Sequence, residues 1–349
     1  MRLFRSAGAV LACLCLLCCL WVPSQAEVQR YTANFSDVFD TVSQLVIYSD
    51  SQEDATALAQ KAYSLLRYYH QLFDIYNDHP KVVGVYELNQ RAADSPVQVE
   101  QELFDLLVFA KEMYTLTNGN MNIAMGSVLR IWHHYREQGL QAPQAAQLPP
   151  IHILEEAAPH TSLDQVILDE TNRSVFFADP LLKLDLGAIA KGYAVERVAD
   201  ALAADGATGV LLSIGGNVRA IGLRPDGTAF TVGVQNPDLE AAQQNLRIVG
   251  LSDASLVTSG SYQRFYTVNG TNYHHIIDQD TLMPAQHVWA VSVITEDSGV
   301  ADALSTALFN MPLEEGLALV AGLPQVEALW VKHDGSVVVS DGFSSLEVN

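Results

Sequence analysis

The sequence predicts an α+β fold of mixed, largely antiparallel sheets with packed helices. Two observations predict it. Between residues 209 and 294, short β-rich segments follow one another with turns between them and no helical period, as strands do that pair with their chain neighbours. Segments with apolar residues at helical spacing bracket that block on both sides.

The elements follow in order. Thr41–Tyr48 alternates and is rich in β-formers, so a strand is expected. Glu53–Asp74 places Ala57, Leu58, Ala62, Leu65, Leu66, Tyr69, Leu72 and Phe73 at helical spacing. Val99–Thr117 reads as a second helix, stopped by Asn118-Gly119. Residues 138–160 hold prolines and few periodic apolar residues, which predicts a connecting loop. Val175–Phe177 and Leu182–Leu186 read as strands. Ala188–Asp205 reads as a helix closed by Gly206, and Gly209–Ile214 as a strand ending at Gly215-Gly216. Phe230–Val234, Ile248–Leu251, Ser255–Thr258, Arg264–Val268 and Ala290–Ile294 are the further expected strands. Val300–Asn310 and Leu313–Ala321 are helical, and Ala328–Lys332 with Ser336–Ser340 forms a last hairpin.

The N-terminus has its own pattern. Met1–Arg5 is basic, Ala7–Val22 is apolar, and Ser24-Gln25-Ala26 precedes Glu27 as a small-x-small site. That is the three-part form of a cleaved export signal, so residues 1–26 are expected to leave and 27–349 to form the working domain. The apolar run is shorter than the roughly 20 residues of a spanning helix, which makes an uncleaved anchor the second reading. Val10-Leu11-Ala12-Cys13 loosely resembles a lipobox, which makes a lipid anchor the third. A periplasmic protein is expected, with inner-membrane association left open. All four cysteines lie in this segment. Its removal excludes disulfides, thiolate metal sites and cysteine nucleophiles together.

Nineteen Lys and Arg stand against 40 Asp and Glu, a net charge of −21. Such a surface repels nucleic acid and anionic lipid, so no nucleic-acid partner is expected. An anionic ligand needs local cations or backbone N–H groups to bind here.

Four segments carry candidate chemistry. In Leu184-Asp185-Leu186-Gly187-Ala188-Ile189-Ala190-Lys191, an apolar segment runs straight into a helix start, where free N–H groups and the helix dipole suit a phosphate. Ser213-Ile214-Gly215-Gly216-Asn217 puts glycines at a strand end, either for close approach of a ligand or for a plain turn. Thr258-Ser259-Gly260-Ser261-Tyr262 is followed by His274-His275-Ile276-Ile277-Asp278, where a histidine near a carboxylate can serve as general base. Adjacent histidines on a strand point to opposite faces, so they make a poor pair of metal ligands. In Ala301-Asp302-Ala303-Leu304-Ser305-Thr306, Asp302 and Thr306 share a helix face, a hard-oxygen set suited to Mg²⁺. Each segment alone also fits an ordinary turn, core histidine or helix cap.

Taken together and in this order, the four segments resemble the ApbE family of FAD:protein FMN transferases. The similarity spans about Thr41 to Lys332 and is strongest in LDLGAIAKGYAVERVADAL, SIGGNVRAIG, TSGSYQRFY, HHIID and ADALSTALF. The resemblance implies a T-fold-related architecture. It also implies a Mg²⁺-dependent enzyme that moves FMN from FAD to a Thr or Ser of an acceptor protein and releases AMP. By motif position, the metal falls to Asp302, Thr306 and the backbone carbonyl of Ala188. Ser305 stands where some members carry another carboxylate. FAD contacts fall to Asp185, Lys191, the backbone of Ile277, Phe39 and Asn120. His275 is the implied general base. The implied partner is an exported acceptor protein of an electron-transfer or respiratory complex.

The sequence departs from the family pattern in places. After HHIID the family continues Pro-x-Thr-Gly-x-Pro, whereas this chain has Gln279-Asp280-Thr281-Leu282-Met283-Pro284. A leucine at a positive-φ glycine position is strained, so a different loop is expected there. Phe39-Asp40-Thr41 replaces Met-Gly-Thr, and Asn122 stands where an Asp is common. These changes fall at the flavin-ring and acceptor end, and leave open an FAD pyrophosphatase or a non-catalytic FAD carrier.

Overall fold

A computed structural model describes residues 27–348. The expected export signal, residues 1–26, lies outside them. Among the described residues no helix is long and apolar enough to cross a membrane.

The chain begins with β1 (Gln29–Val38), β2 (Thr41–Ser49), α1 (Gln52–Phe73), α2 (Val85–Arg91), β3 (Val97–Gln98), α3 (Gln101–Leu116), α4 (Gly126–Gln141) and α5 (Ile151–Ala157). It continues with β4 (Val166–Asp169), β5 (Ser174–Phe177), α6 (Ala190–Ala204), β6 (Val210–Ile214), β7 (Asn217–Ile221), β8 (Phe230–Gln235) and β9 (Asn245–Leu251). It ends with β10 (Ser255–Gly260), β11 (Phe265–Val268), β12 (Thr271–His274), β13 (Ala290–Thr295), α7 (Ser298–Phe309), α8 (Leu313–Ala321), β14 (Glu327–Val331) and β15 (Val337–Val339).

An eight-stranded sheet in the order β1-β2-β6-β7-β10-β13-β14-β15 is the frame, and its neighbours pair antiparallel. Every residue of β13 is buried. Alternation explains this: Val291 and Val293 join the core beneath α1, α6 and α7, while Ala290 and Ile294 join a second core roofed by β8 and β9. A third cluster, with Trp132, Tyr266, Ile277 and Leu282, packs the β11–β12 ribbon and the loop after it against α4 and α5. The largely antiparallel α+β expectation holds.

Local chemistry sets the boundaries. Ser51 accepts the Asp54 N–H at the start of α1, and Asp297 accepts the Gly299 and Val300 N–H groups at the start of α7. Phe39 and Asp40 both have positive φ, +53° and +49°, and Val38 pairs with Thr41. They form a two-residue hairpin turn of the primed kind, with Asp40 standing in for glycine.

Four expectations need correction. Leu182–Leu186 is extended but is not a strand; only Lys183 bridges, to Met125. The segment 138–160 contains the end of α4 and all of α5, because Leu154 finds an apolar seat in the third cluster. The loop after His275 does not avoid the strained conformation: Leu282 adopts φ +60°. Its side chain is 8% exposed and its carbonyl accepts the Trp132 indole N–H at 2.9 Å. That burial and bond hold a backbone state costing roughly 1–2 kcal/mol in an L-residue. Finally, β1 and β12 form although the sequence pattern gave neither.

Helices α6 and α7 touch at Gly192. A Cβ there would lie 2.2 Å from the Ser298 carbonyl oxygen and 2.4 Å from the Asp302 Cβ. Only glycine allows this approach. Gly192→Ala is therefore expected to lower stability by at least about 2 kcal/mol, as overpacking against backbone does. Denaturant unfolding checks this; a loss under about 0.5 kcal/mol would contradict the close packing.

Candidate active site

One cleft separates the α6–α7 layer from the lobe that carries β11 and β12. Asp185, Ala188, Lys191, Asp302 and Thr306 line one wall, and Arg264, His275 and Ile277 line the other. Asn120 and the Gly215–Asn217 turn also reach it.

The first wall is built from two helix starts. The Gly192 N–H would ordinarily bond the Ala188 carbonyl four residues back. It donates instead to Asp302 Oδ2 at 2.8 Å. No backbone hydrogen bond to the Ala188 carbonyl is present among the described residues. The same bond that orients Asp302 thus leaves a carbonyl oxygen free at the cleft. Lys191 Nζ stands 3.6 Å from Asp302 Oδ1. Asp302 is only 3% exposed. Thr306 follows one turn later on the same face, and its hydroxyl has no hydrogen-bond partner among the described residues. A carboxylate, a hydroxyl and a carbonyl form an all-oxygen donor set, which fits Mg²⁺ and not zinc.

Asp185 begins the turn into α6. Its Oδ1 accepts the Gly187 N–H at 2.9 Å, and its backbone N–H bonds the Ile123 carbonyl. Burial raises this carboxyl above the ordinary aspartate range, against the lowering effects of that N–H, His133 and Arg136.

The second wall holds the two histidines, and the chain separates their roles. His274 ends β12, is 5% exposed, and its Nε2 meets the Ala285 carbonyl at 2.9 Å. Its Nδ1 accepts the Ile276 N–H. Both ring nitrogens are occupied, so His274 is structural. His275 projects into the cleft, with Nδ1 at 3.2 Å from the Arg264 carbonyl. A proton on Nδ1 leaves Nε2 as the free base. The surrounding protein first, and the Arg264 guanidinium second, push this imidazole below the ordinary histidine value.

Two sequence-expected residues fall elsewhere. Ser305 is fully buried and does not line the cleft; its hydroxyl bonds the Asp302 carbonyl at 2.9 Å and, at 2.8 Å, the Oγ of Ser259, which does line it. Phe39 is not among the cleft residues; it sits at the β1–β2 turn, edge-on to His70 at 5.6 Å. Asn120 lines the cleft while its amide bonds the Thr117 carbonyl at 3.1 Å.

Sequence reasoning missed Tyr76, His133 and Arg136, which also line the cleft. The Tyr76 ring lies 4.6 Å from that of His133, and Arg136 Nη2 is 3.1 Å from His133 Nδ1. The usable signal was the spacing of His133 and Arg136 on one helix face, two basic groups in a strongly acidic chain. A separate His70–Asp74–His79 cluster has ligand atoms within 4.8 Å of one another. Its atoms are engaged structurally: His70 Nδ1 accepts the Phe39 N–H, and Asp74 accepts from Tyr76, Asn77 and His79.

A lysine, an all-oxygen donor set able to hold a hard cation and a histidine facing them across one cleft form an arrangement that can bind and act on an anionic ligand. Comparison with known proteins narrows this class. The ApbE family model matches residues 39–330. A protein of Klebsiella pneumoniae named FAD:protein FMN transferase is 31% identical over 297 residues, covering 85% of this chain and 87% of its own. A Treponema pallidum protein of the same name is 30% identical over 344 residues, covering 94% and 92%. The crystal structure of the ApbE protein of Thermotoga maritima superposes with a TM-score of 0.80 at 29% identity, covering 92% of this chain and all of the other. The chain belongs to the ApbE family.

A general base sets the acid limb of a pH–rate profile, and His275 in that role would place it. The His275 imidazole is held low, so the limb is expected below the ordinary histidine value of 6.5. Removing the neighbouring positive charge with Arg264→Gln is expected to move the limb upward. A limb that stays fixed or moves down would contradict the Arg264 effect.

Proposed function

We propose that this chain transfers FMN from FAD to a Thr or Ser hydroxyl of an exported acceptor protein, with Mg²⁺ as cofactor and AMP as leaving product. One observation carries the reading: Asp302, with an unpaired Ala188 carbonyl beside it, faces His275 across a single cleft. The working domain is residues 27–349, and residues 1–26 direct it to the periplasm. The acceptor belongs to an electron-transfer or respiratory complex.

Asp302, Thr306 and the Ala188 carbonyl hold the cation. When bound, Mg²⁺ offsets the charge of the FAD diphosphate and of the departing phosphate oxygen. Lys191 binds the diphosphate; the Ala190 and Gly192 N–H groups of the first turn of α6 are already taken by the Leu186 carbonyl and by Asp302. Asp185, Asn120 and the Ile277 backbone seat the rest of FAD. His275 Nε2 takes the proton of the acceptor hydroxyl as that oxygen attacks the FMN phosphorus. A new P–O bond forms, and the bond from that phosphorus to the bridging oxygen breaks. AMP leaves with that oxygen. Placing the hydroxyl in line with the leaving oxygen is the larger task of the site.

Incubation with FAD, Mg²⁺ and an acceptor protein tests this directly. Covalently bound fluorescent flavin on the acceptor is the expected product. AMP and free FMN formed without acceptor would instead mean a pyrophosphatase, and bound intact FAD a carrier. Asp302→Ala is expected to abolish cation-dependent turnover; full activity would refute the cradle. His275→Ala should reduce kcat by about 10²–10⁴-fold with FAD affinity nearly unchanged. Equal losses of rate and affinity would make His275 a structural residue.

A further inference from the structure

Glu196 lies one turn beyond Gly192 on α6 and is 5% exposed. A buried carboxylate requires partners, and Glu196 has them from two directions. Arg219 on β7 grips it as a fork, with Nε 3.0 Å from Oε2 and Nη2 3.0 Å from Oε1. Oε2 also accepts the Ser298 N–H at 2.7 Å.

Ser298 is the first residue of α7 and precedes Asp302 by one helical turn. Asp297 takes the next two N–H groups of that turn, and the Ser298 carbonyl packs against Gly192. The start of α7 is thus tied to α6 by a charged hydrogen bond and by a backbone contact. Both fix the height and rotation of the turn that ends at Asp302. A rotation of α7 would break the Asp302–Gly192 bond and swing the carboxylate out of the cleft.

We infer that Glu196, held by Arg219, is a positioning residue for the cation cradle: it acts through Ser298 to aim Asp302. This rests on the proposed reading of Asp302 as a cation ligand. It gives the otherwise buried Glu196–Arg219 pair a task at a site it does not touch.

Glu196→Gln tests it. The amide can offer one acceptor but also presents a donor, either to Arg219 or to the Ser298 N–H, so one of the two ties is lost. Binding of Mn²⁺ to the protein, read by electron paramagnetic resonance without turnover, is expected to weaken at least about tenfold, the effect typical of residues that orient a metal ligand. FAD binding in the absence of a divalent cation should stay within about twofold of the parent. A variant that melts lower but binds Mn²⁺ with parental affinity would overturn the inference and make the pair purely structural. If Glu196→Gln fails to fold, Arg219→Lys keeps the charge while losing the fork. It is expected to weaken Mn²⁺ binding by a smaller factor, and parental affinity would again overturn the inference. The parent and Asp302→Ala serve as controls. A parent that binds no Mn²⁺, or an Asp302→Ala protein that binds it as well as the parent, defeats the cation reading itself and this inference with it.

Discussion

The hydrogen bond from the Gly192 N–H to the Asp302 carboxylate organises the site. It takes one bond out of the first turn of α6, which leaves the Ala188 carbonyl free. It fixes one oxygen of Asp302, which leaves the other near Lys191. It also requires two helices to approach so closely that no side chain fits at position 192. A single backbone N–H therefore couples the packing of the core to the composition of the cradle. The main sheet serves this contact. Its strands β7, β10 and β13 form the floor on which α6 and α7 rest, with apolar residues on both faces of the fully buried β13.

The opposite wall follows a different principle. The β11–β12 ribbon lies outside the main sheet and gains its stability from the small cluster around Trp132. Trp132 clamps the Leu282 carbonyl, and Leu282 accepts a left-handed backbone while its side chain stays in the cluster. The loop that follows His275 thus keeps a glycine-like path without glycine. Its shape is maintained by long-range packing, whereas the first wall is maintained by helix termini. The two walls touch at one end, where the His274 ring packs edge-on against Phe309 of α7 at 5.5 Å, and leave the cleft open between them elsewhere.

Much of this was legible in the sequence where the determinants are local. The strand-rich block, the helices that bracket it and the shared face of Asp302 and Thr306 follow from side-chain period alone. The division of labour between His274 and His275 was legible as a consequence of strand geometry, though which one faced the ligand was not. The rest depended on contacts distant in sequence. Ser305 sits beside Asp302 and Thr306 in the chain, yet the helix buries it against Ser259. Leu282 looked incompatible with its position because the Trp132 indole that holds it lies 150 residues away. Tyr76 comes from a loop after α1, and His133 with Arg136 from α4; only the fold brings them to one wall. Strand β1 does carry a period-two signal, with Tyr31, Ala33 and Phe35 half-buried against the core and the polar residues between them outward, but half-buried positions give it a weaker pattern than the buried strands.

The position of a bound cation tests the account most directly. Anomalous diffraction from crystals grown with Mn²⁺ and FAD would locate it. The expected peak lies about 2 Å from an Asp302 oxygen, the Thr306 hydroxyl and the Ala188 carbonyl. A peak at His70, Asp74 and His79, with none beside Asp302, would contradict it.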